Sequence, residues 1–347
     1  MTIYLLTLKK CFLYVRGFPE DCKVQVKTLI KLWMAEGFIK ESGQRSFEEE
    51  GEIYLMDLIH RNLLIVADKS SNGGIKSCCL HDLLREVCLK KADEENFFKK
   101  MSIPMSNSDS LFGFISSMVK QRRLFTDYEA LCMFRSNDFY THTRSVLCFH
   151  YNQQFEVRPT RWVPSFLLLR VLDLLNIPMF SLDKIRMLLH LRYLAVWLLS
   201  HQSSFSEPEA SKSLFSKANF GSLQTLIVKG KFQRFIYSPH NMVNLRHLRC
   251  DRVDFSDDFF VRQLFNLQTI SRLRLDHKDQ YLLESFPYIK KLRCFISSTS
   301  SNRGSLDFSL LHHLEALNIE MFSYELLTLE NPIRFPETLK KLTLKGL

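Results

Sequence analysis

Eight copies of one short apolar pattern decide the fold of this chain: LRVLDL at Leu169, LRYLAV at Leu191, LQTLIV at Leu223, LRHLRC at Leu245, LQTISR at Leu267, IKKLRC at Ile289, LEALNI at Leu314 and LKKLTL at Leu339. The intervals between successive copies are 22, 32, 22, 22, 22, 25 and 25 residues. Apolar residues that alternate in this way are expected to point to one side of a short strand. A pattern that returns at such a period indicates stacked repeats.

Period and pattern together predict leucine-rich repeats, in which each turn contributes one strand and a looser return segment. No single turn can bury its apolar side alone, so neighbouring turns stack to form a continuous core. We therefore expect residues 142–347 to form a solenoid of about eight repeats.

Three places depart from the regular pattern. The interval of 32 residues contains the segment 201–219, which is rich in Ser, Lys and Glu and is predicted to loop out of the stack. In LQTISR, Arg272 stands where the last apolar residue belongs. The sequence THTRSV at 141–146 is interpreted as a degenerate first turn.

Composition favours a protein of the cytoplasm. The chain has 347 residues, 46% of them hydrophobic, and it has no apolar run near the ~18 residues that a membrane-spanning helix requires. The opening sequence MTIYLLTLKK has its apolar residues before its lysines, which is not the order of a secretory signal peptide. The nine cysteines include no C-x-x-C pair, so we expect buried, reduced thiols and no metal site.

The formal net charge of +10 is a feature that favours a nucleic-acid partner. However, Lys and Arg are spread over the whole chain without a long basic run. We therefore interpret them as solvated surface charges and expect no nucleic-acid partner.

The N-terminal residues combine helical patterns with a hairpin. The segment 9–41 predicts a short helix, a turn at 18–21 and a second helix that ends at Gly37. A third helix is predicted at 47–62, because the positive end of the helix dipole favours the acids Glu48, Glu49 and Glu50 in its first turn. Two strands at 63–67 and 74–80 flank the polar stretch DKSSNG. Three helices followed by a hairpin predict a winged-helix module, so the expected fold class is α/β, with a mostly α-helical start before the solenoid.

Three sequences of this module resemble consecutive motifs of one family: CFLYVRGFPED at 11–21, LIKLWMAEGFI at 29–39 and LHDLLREVCL at 80–89. Their order and spacing, with the repeats that follow, are similar to those of plant intracellular immune receptors that carry a nucleotide-binding switch and leucine-rich repeats. Within that family, the chain resembles the coiled-coil class and the late blight resistance protein homologs of nightshades. The resemblance implies a role in disease resistance, with the winged helix as the last part of an ATPase-like switch.

In that family a Met-His-Asp motif senses the bound nucleotide, and the matching residues here are Leu80, His81 and Asp82. The resemblance implies that His81 lies near the ADP β-phosphate and holds the inactive state, while Asp82 secures the local loop. An imidazole nitrogen can donate a hydrogen bond to a phosphate oxygen. An alternative interpretation is that Asp82 simply caps the following helix.

The chain contains no G-x-x-x-x-G-K-[ST] phosphate loop, so no cofactor is expected in this chain by itself, and ADP or ATP is expected in an intact receptor. The stretch LLLRVLDLL at 167–175 is similar to the strand that ends in a magnesium-binding aspartate in such switches. Because it lies in repeat register, we interpret it as a repeat.

By the family pattern, residue 1 falls inside the switch region, and the chain stops on a repeat strand without a polar cap. We therefore expect a piece of a larger receptor with three parts. These are 1–92, the winged helix of the switch; 93–141, a linker and repeat cap; and 142–347, the repeats.

Alternation along each repeat strand places a second set of side chains on the expected concave face. Large aromatics beside arginine are the residue types that supply most of the binding energy at protein interfaces. We expect this face to bind a pathogen effector or a guarded host protein, and the missing switch subdomains to be further partners in an intact receptor. The residues expected on the face are Tyr193, Trp197, His247, Arg249, Lys291, Arg293, Phe295, Lys341 and Lys345.

The leading functional hypothesis is a receptor segment in which partner binding is relayed through the winged helix to the switch, leading to localised cell death. The alternative is a non-switching interaction module, a decoy or adaptor that binds no nucleotide. An F-box adaptor of protein degradation would require an F-box, which CFLYVRGFPED does not resemble. No H-E-x-x-H, G-x-S-x-G or metal-ligand cluster occurs in the sequence, so no enzymatic activity is expected.

Overall fold

The structure, a computed structural model, describes residues 2–40, 43–70, 73–101, 121–132, 142–150, 166–179, 185–198, 220–230, 235–237, 242–255, 264–275, 280–296, 306–321 and 333–346. The predicted insertion at 201–219 lies outside these residues. The chain divides into two units: Met1–Ile177 with His190–Tyr193, and Pro178–Leu189 with Leu194–Leu347.

The first unit begins with the winged helix. Helices α1 (Thr2–Val15), α2 (Val26–Glu36) and α3 (Phe47–His60) are followed by the strands β2 (Leu64–Lys69) and β3 (Ile75–Leu80) and then by α4 (Asp82–Glu94). Strands β2 and β3 form an antiparallel hairpin, and the short strand β1 (Val24–Gln25) pairs antiparallel with the other edge of β3. The predicted order of three helices and a hairpin is confirmed.

Local sequence explains where these helices begin and end. Helix α2 stops at Gly37, which adopts a left-handed conformation with φ of 79° and donates its N–H back into the last turn at 2.9 Å. Helix α3 starts with a capping box, since Ser46 Oγ accepts from the Glu49 N–H at 3.4 Å and the Glu49 carboxylate accepts from the Ser46 N–H at 2.9 Å. Gly51 lets α3 approach α2 closely, because a Cβ there would lie 2.5 Å from Ile30 Cγ2.

Four parallel strands follow the winged helix in the first unit: β4 (Lys99–Met101), β5 (Arg123–Asp127), β6 (Ser145–His150) and the residues of β7 (Val171–Met179) up to Ile177. A short helix at Tyr128–Cys132 follows β5. Strand β6 begins with Ser145 and Val146, the last two residues of the sequence THTRSV that predicted a degenerate first turn. Strands β4 and β5 lie in the segment predicted as linker and cap, so parallel stacking begins earlier in the chain than the repeat pattern indicated.

Aromatic side chains join the winged helix to these strands. The ring of Phe125 on β5 lies 5.4 Å from that of Tyr14 on α1 and 5.2 Å from that of Phe98, both in edge-to-face geometry. Gly17 makes room for the same ring, since a Cβ at Gly17 would lie 2.3 Å from Phe125 Cε1. Tyr14 and Phe125 are fully buried, and Phe98 is buried. The last turn of α1 and β5 therefore share one core.

A buried ion pair crosses the same junction. The side chain of Glu36, the last residue of α2, is 0% exposed, and its Oε2 lies 2.8 Å from Arg123 Nε on β5. Ser145 Oγ on β6 donates to the other carboxylate oxygen, Glu36 Oε1. Arg123 Nη1 donates to the Phe97 carbonyl at 3.0 Å, and its guanidinium carbon lies 4.2 Å from the centroid of the Phe97 ring. Both carboxylate oxygens are thus satisfied by the strands.

The second unit consists of parallel strands: the residues of β8 (Tyr193–Leu198) from Leu194 onwards, then β9 (Thr225–Lys229), β10 (Phe235–Tyr237), β11 (His247–Phe255), β12 (Thr269–Leu275), β13 (Lys291–Ile296), β14 (Ala316–Met321) and β15 (Lys341–Gly346). Strands β9, β11, β12, β13, β14 and β15 pair in that order, and β10 pairs with β11 beyond the end of β9. A 3-10 turn at Ile185–Met187 and a short helix at Gln280–Glu284 are the described helical pieces of its return segments. The predicted solenoid after the winged helix is confirmed.

The repeat leucines form the core of this stack. The first residue of each block from Leu191 to Leu314 is at most 1% exposed. The repeat leucines of the last copy are not buried: Leu342 is 41% and Leu344 is 53% exposed. Apolar residues of the final described strand are covered only on the β14 side.

The irregular copy LQTISR forms a bulge. Between the pairs Ile270–Leu292 and Leu273–Cys294, strand β12 has two residues, Ser271 and Arg272, opposite one residue of β13. Arg272 is exposed and has φ of 62°, a conformation that side chains with a Cβ adopt at a cost. The extra residue returns Leu273 and Leu275 to the buried side, where they are 0% exposed.

Six of the eight described cysteines are buried. Burial raises the pKa of Cys78 and of Cys88 to about 12, so both remain thiols at neutral pH. Among the described helices, none is long and apolar enough to cross a membrane.

Substitution of Arg272 tests the strained bulge. Arg272→Gly is expected to raise the free energy of unfolding by about 0.5–1 kcal/mol, because glycine adopts positive φ without the ~1–2 kcal/mol cost of a side chain. Thermal unfolding of the chain measures the change. The matched control is Arg274→Gly on the same strand, which has no positive φ and is expected to lower stability. Equal losses in the two variants would show that no strain is relieved.

Removal of one partner tests the buried ion pair. Glu36→Gln and Arg123→Met are each expected to cost about 3–5 kcal/mol, because either leaves an uncompensated buried group, and the double variant is expected to cost less than the sum. Denaturant unfolding measures all four proteins. The control Arg61→Met breaks the exposed pair with Asp57, whose atoms lie 2.8 Å apart, and is expected to cost less than about 1 kcal/mol. Additive losses at Glu36 and Arg123 would contradict a direct interaction.

Candidate functional site

His81 lies at the junction between the hairpin and the last helix of the winged helix. It follows β3 directly and is the N-cap residue of α4, with extended backbone angles of −66° and 131°. Its Nδ1 accepts a hydrogen bond from the Leu83 N–H at 3.3 Å. The capping residue is thus His81, and the alternative that Asp82 caps the helix is wrong.

The cap fixes the chemistry of the imidazole. A ring nitrogen that accepts a hydrogen bond carries no proton, so in the neutral ring the proton is on Nε2. Nε2 is therefore a donor, and the His81 residue is half-buried. Such a group can donate to a phosphate oxygen while Nδ1 still caps the helix.

Asp82 is the first residue of α4 and is exposed. A carboxylate in the first turn is favoured by the helix dipole, which gives this residue a role in the helix itself. His81 and Asp82 are thus adjacent, but one is the cap and the other lies in the first turn.

The aspartate of the magnesium-site alternative belongs to the strand stack. Asp173 lies on β7, opposite Leu147 of β6. Its carboxylate accepts from the Leu175 N–H and from the Tyr193 hydroxyl, each at 3.2 Å. Burial raises the pKa of Asp173 to about 6, against the opposing effect of these two hydrogen bonds. The repeat interpretation of this stretch accounts for each contact.

The nine residues expected on the repeat face differ in exposure. Arg249, Lys291, Lys341 and Lys345 are exposed. A second group, Trp197, Arg293 and Phe295, is half-buried. The expected exposure of Tyr193 and His247 is not found, since they are 0% and 4% exposed.

Neighbouring strands cover the two buried residues. The Tyr193 hydroxyl donates to Asp173, and His247 Nδ1 lies 2.9 Å from Thr269 Oγ1 on β12. Because Thr225 and Thr269 pair with His247 from its two sides, the ring is enclosed within the row of side chains. Tyr193 and His247 are therefore buried contacts between strands and are not available to a binding partner.

The strand register brings the remaining residues of the second unit into rows. Lys291 and Lys341 flank Ala316, and Phe295 and Lys345 flank Glu320. At the usual strand spacing of about 4.8 Å, members of such a flanking pair are roughly 10 Å apart. We use the name exposed strand face for a row of nine side chains, most of which reach solvent. They are the exposed Lys229, Arg249, Lys291, Lys341 and Lys345, the half-buried Trp197, Arg293 and Phe295, and the buried Glu320.

Two residues of the exposed strand face were not predicted from the sequence. Lys229 lies with its Nζ 4.5 Å from the centroid of the Trp197 ring, and Glu320 accepts from Arg293 Nε at 3.1 Å. Glu320 is the single acid among six basic residues in this set, and Arg293 already pairs with it. The signal for both lay in the sequence, since each occupies an alternate position of its repeat strand.

Sequence reasoning also did not single out Glu36 in the winged helix. It lies in the motif LIKLWMAEGFI, directly before the glycine that ends α2. An acid at the C-terminal end of a helix is opposed by the helix dipole, and this anomaly is a signal that it has a specific basic partner. The Arg123 guanidinium is that partner.

Comparison with known proteins agrees with this arrangement. Residues 18–88 match the family described as the disease resistance protein winged helix domain. The chain is 32% identical to an RPP8-like disease resistance protein of Arabidopsis thaliana over 281 residues, which is 78% of this chain and 29% of the relative. It is 31% identical to late blight resistance protein R1-A of Solanum demissum over 318 residues, 83% of this chain and 23% of the relative.

A third relative, disease resistance protein RPP8 of Arabidopsis thaliana, is 30% identical over 330 residues, 92% of this chain and 34% of the relative. The chain thus spans about a quarter to a third of the length of these relatives. Residues 18–88 are the winged-helix domain of the disease resistance protein family, and over most of its length the chain is a homologue of RPP8-like and late blight resistance R1 proteins.

Proposed function

We propose that this chain is the winged-helix and repeat segment of a cytoplasmic plant disease resistance receptor. In this proposal the exposed strand face binds a protein, either a pathogen effector or a guarded host protein, and the winged helix relays this binding to a nucleotide-dependent switch that triggers localised cell death. The similarity to RPP8-like and R1 proteins supports the defence role.

The observation that carries the proposal is the contact of Glu36 with Arg123 and Ser145. It connects the end of α2 directly to strands β5 and β6, at the start of the parallel stack. Interactions that are fully desolvated and hydrogen-bonded favour one discrete arrangement over a continuous range of positions. A force on the strands can therefore reach the winged helix without a flexible linker.

The charge of the exposed strand face supports a partner that offers acidic groups. Among the described residues, Lys229, Arg249, Lys291, Lys341 and Lys345 form no ion pair. Complementary charge raises association rates and selects against wrong partners more than it adds affinity. Trp197 and Phe295, both half-buried, supply apolar contact area of the kind found at interface centres.

A non-switching interaction module is the second candidate. Its supporting observation is that the 347 residues contain no G-x-x-x-x-G-K-[ST] sequence, so phosphate binding of that kind needs residues from elsewhere. In this case His81 acts only as the cap of α4, and the exposed strand face remains the binding surface.

Two substitutions at His81 separate the cap from the nucleotide role. In the chain itself, His81→Ala is expected to lower the free energy of unfolding by about 0.5–2 kcal/mol, while His81→Ser restores the cap. In the intact receptor both variants are expected to retain less ADP after purification. Alanine has no side-chain donor, and the serine hydroxyl reaches less far than the imidazole Nε2. Bound nucleotide is measured by chromatography of the denatured protein.

The control for this experiment is His60→Ala, which removes an exposed imidazole at the end of α3. It is expected to leave the ADP content unchanged. If His81→Ser kept as much ADP as the unsubstituted receptor, His81 would be a helix cap alone and the switching proposal would lose its sensor.

The two lysines that flank Ala316 test the exposed strand face. Lys341→Glu and Lys291→Glu each reverse a charge on the face, so each is expected to weaken partner binding. In leaves that express the intact receptor, we expect each variant to need at least a tenfold higher dose of the partner to cause the same cell death. The matched control is Lys340→Glu, whose exposed amino group lies 3.2 Å from Glu315 outside the face. Loss of response in the control as well, or in none of the three, would argue against this surface.

A further inference from the structure

Arginine occupies the same position before four successive strands. Directly before β5, β6, β7 and β8 stand Arg122, Arg144, Arg170 and Arg192, and all four belong to the first unit. The main-chain N–H of each of the last three donates to the carbonyl of the arginine before it, at 2.7, 2.7 and 2.8 Å. We call these four residues the arginine ladder. Neighbouring members are one strand spacing apart, about 4.8 Å.

The end of helix α2 lies against two members of the arginine ladder. Arg170 Nη1 donates to the Glu36 carbonyl at 3.4 Å. A Cβ at Gly37 would lie 3.6 Å from Arg170 Nη1 and 3.6 Å from Arg192 Nη1, so both guanidinium groups lie beside the same turn. The C-terminal end of a helix carries roughly half a negative elementary charge. It therefore positions these two cations and leaves most of their charge uncompensated.

The acid nearest to the arginine ladder has other partners. Among the described residues, Glu36 is the acid whose charge acts on both Arg144 and Arg170. Its two carboxylate oxygens are already bound by Arg123 and Ser145. Within the described parts of the chain, no side chain of the arginine ladder forms an ion pair. Four formal positive charges thus share no acid of their own.

The charges of the arginine ladder repel one another. Burial, followed by the charges of Arg170, Arg122 and Arg123, lowers the pKa of Arg144. In the same way, burial and then the charge of Arg192 lower the pKa of Arg170. Repulsion between like charges costs free energy, which an anion bound across the ladder recovers.

The guanidinium donors of the arginine ladder can be reached from solvent. Arg122 is exposed, and the other three residues are half-buried. The side chains of Arg144 and Arg192 donate no hydrogen bond to a described residue, and none of their nitrogen atoms is fully enclosed without a partner. These nitrogen atoms are therefore accessible to a ligand.

The spacing of the arginine ladder favours linked phosphate groups over the carboxylates of a peptide. A guanidinium presents a planar fork of donors that matches phosphate oxygens, often with two parallel hydrogen bonds. In an extended acidic peptide, carboxylates on one side are two residues or about 6.6–6.8 Å apart, which exceeds the ladder step of about 4.8 Å. Phosphate groups joined through single bridging oxygens concentrate their charge over shorter steps.

We propose that the arginine ladder binds an oligophosphate, a chain of three or more linked phosphate groups that is either free or part of a larger molecule. Arg144 and Arg192 donate to its oxygens, and Arg170 is held in place by the end of α2. Because the ladder lies where α2 meets the strands, the bound anion stabilises this junction. The site uses no residue of the candidate nucleotide-sensing motif, and it does not depend on the proposed receptor function.

Inorganic tripolyphosphate is the probe that tests the site. It is expected to raise the melting temperature of the full chain saturably, by several degrees more than sodium sulfate at equal ionic strength, because it binds the native state. Calorimetric titration is expected to show one bound anion, with affinity that falls as sodium chloride is added. Equal effects of tripolyphosphate and sulfate, or tighter binding of a hexaglutamate peptide, would overturn the proposal.

ATP distinguishes the two sources of the phosphate chain. Binding of ATP as tight as that of tripolyphosphate would support a site that accepts the chain within a larger molecule. Weaker binding of ATP would support the free chain as the ligand.

Three variants locate the binding. Arg144→Gln and Arg192→Gln are each expected to weaken tripolyphosphate binding about tenfold or more, because each removes charge-assisted hydrogen bonds to the anion. Without the anion, each variant is expected to melt at the temperature of the parent chain or above it, because a repelled charge is lost. The matched control is Arg249→Gln, which removes an arginine charge from the exposed strand face and is expected to bind as the parent does.

Two outcomes at these positions would contradict the site. Unchanged binding in both ladder variants, or an equal loss in Arg249→Gln, would show that tripolyphosphate binds to general positive charge. A clear fall in the melting temperature of both ladder variants without the anion would show that the arginines are structural contacts and are not held ready for a ligand.

Discussion

The buried carboxylate of Glu36 is the constraint on which the first unit depends. It ends a helix whose dipole opposes it, and it is fully enclosed, so it is stable there because Arg123 and Ser145 reach it from two successive strands. Those strands in turn receive the aromatic side chains of the winged helix. The polar contact specifies the position of the end of α2, and the rings around Phe125 supply the apolar burial that holds it.

His81 likewise combines a structural contact with a group that is available for binding. One ring nitrogen caps α4, so in the neutral ring the proton is on the other nitrogen, and the helix cap leaves Nε2 as a donor. A functional and a structural reading of such a residue are therefore not exclusive. On the exposed strand face, Glu320 and Trp197 similarly hold Arg293 and Lys229 in place while leaving the remaining basic side chains to solvent.

Sequence reasoning identified the winged helix and the stacked strands because both rest on local signals. Gly37 ends α2, the acids at 48–50 lie in the first turn of α3, and the leucines of each block alternate toward one side. Its prediction of exposure was wrong for two residues whose burial depends on packing between neighbouring strands. Alternation places Tyr193 and His247 on the strand face, but their rings reach Asp173 and Thr269 on neighbouring strands and become buried. Alternation specifies a side of the sheet, and it carries no information about what covers that side.

The amino-acid sequence by itself determined the order of modules, the family resemblance and the repeat register, since these follow from periodicities and motifs that are read along the chain. The tertiary structure alone decided three further points. They are the early start of the parallel strands at β4, the bulge by which Arg272 keeps Leu273 buried, and the pairing of Glu36 with a residue 87 positions away. Each depends on contacts between segments distant in sequence, where the free energy comes from shared burial and not from local preference.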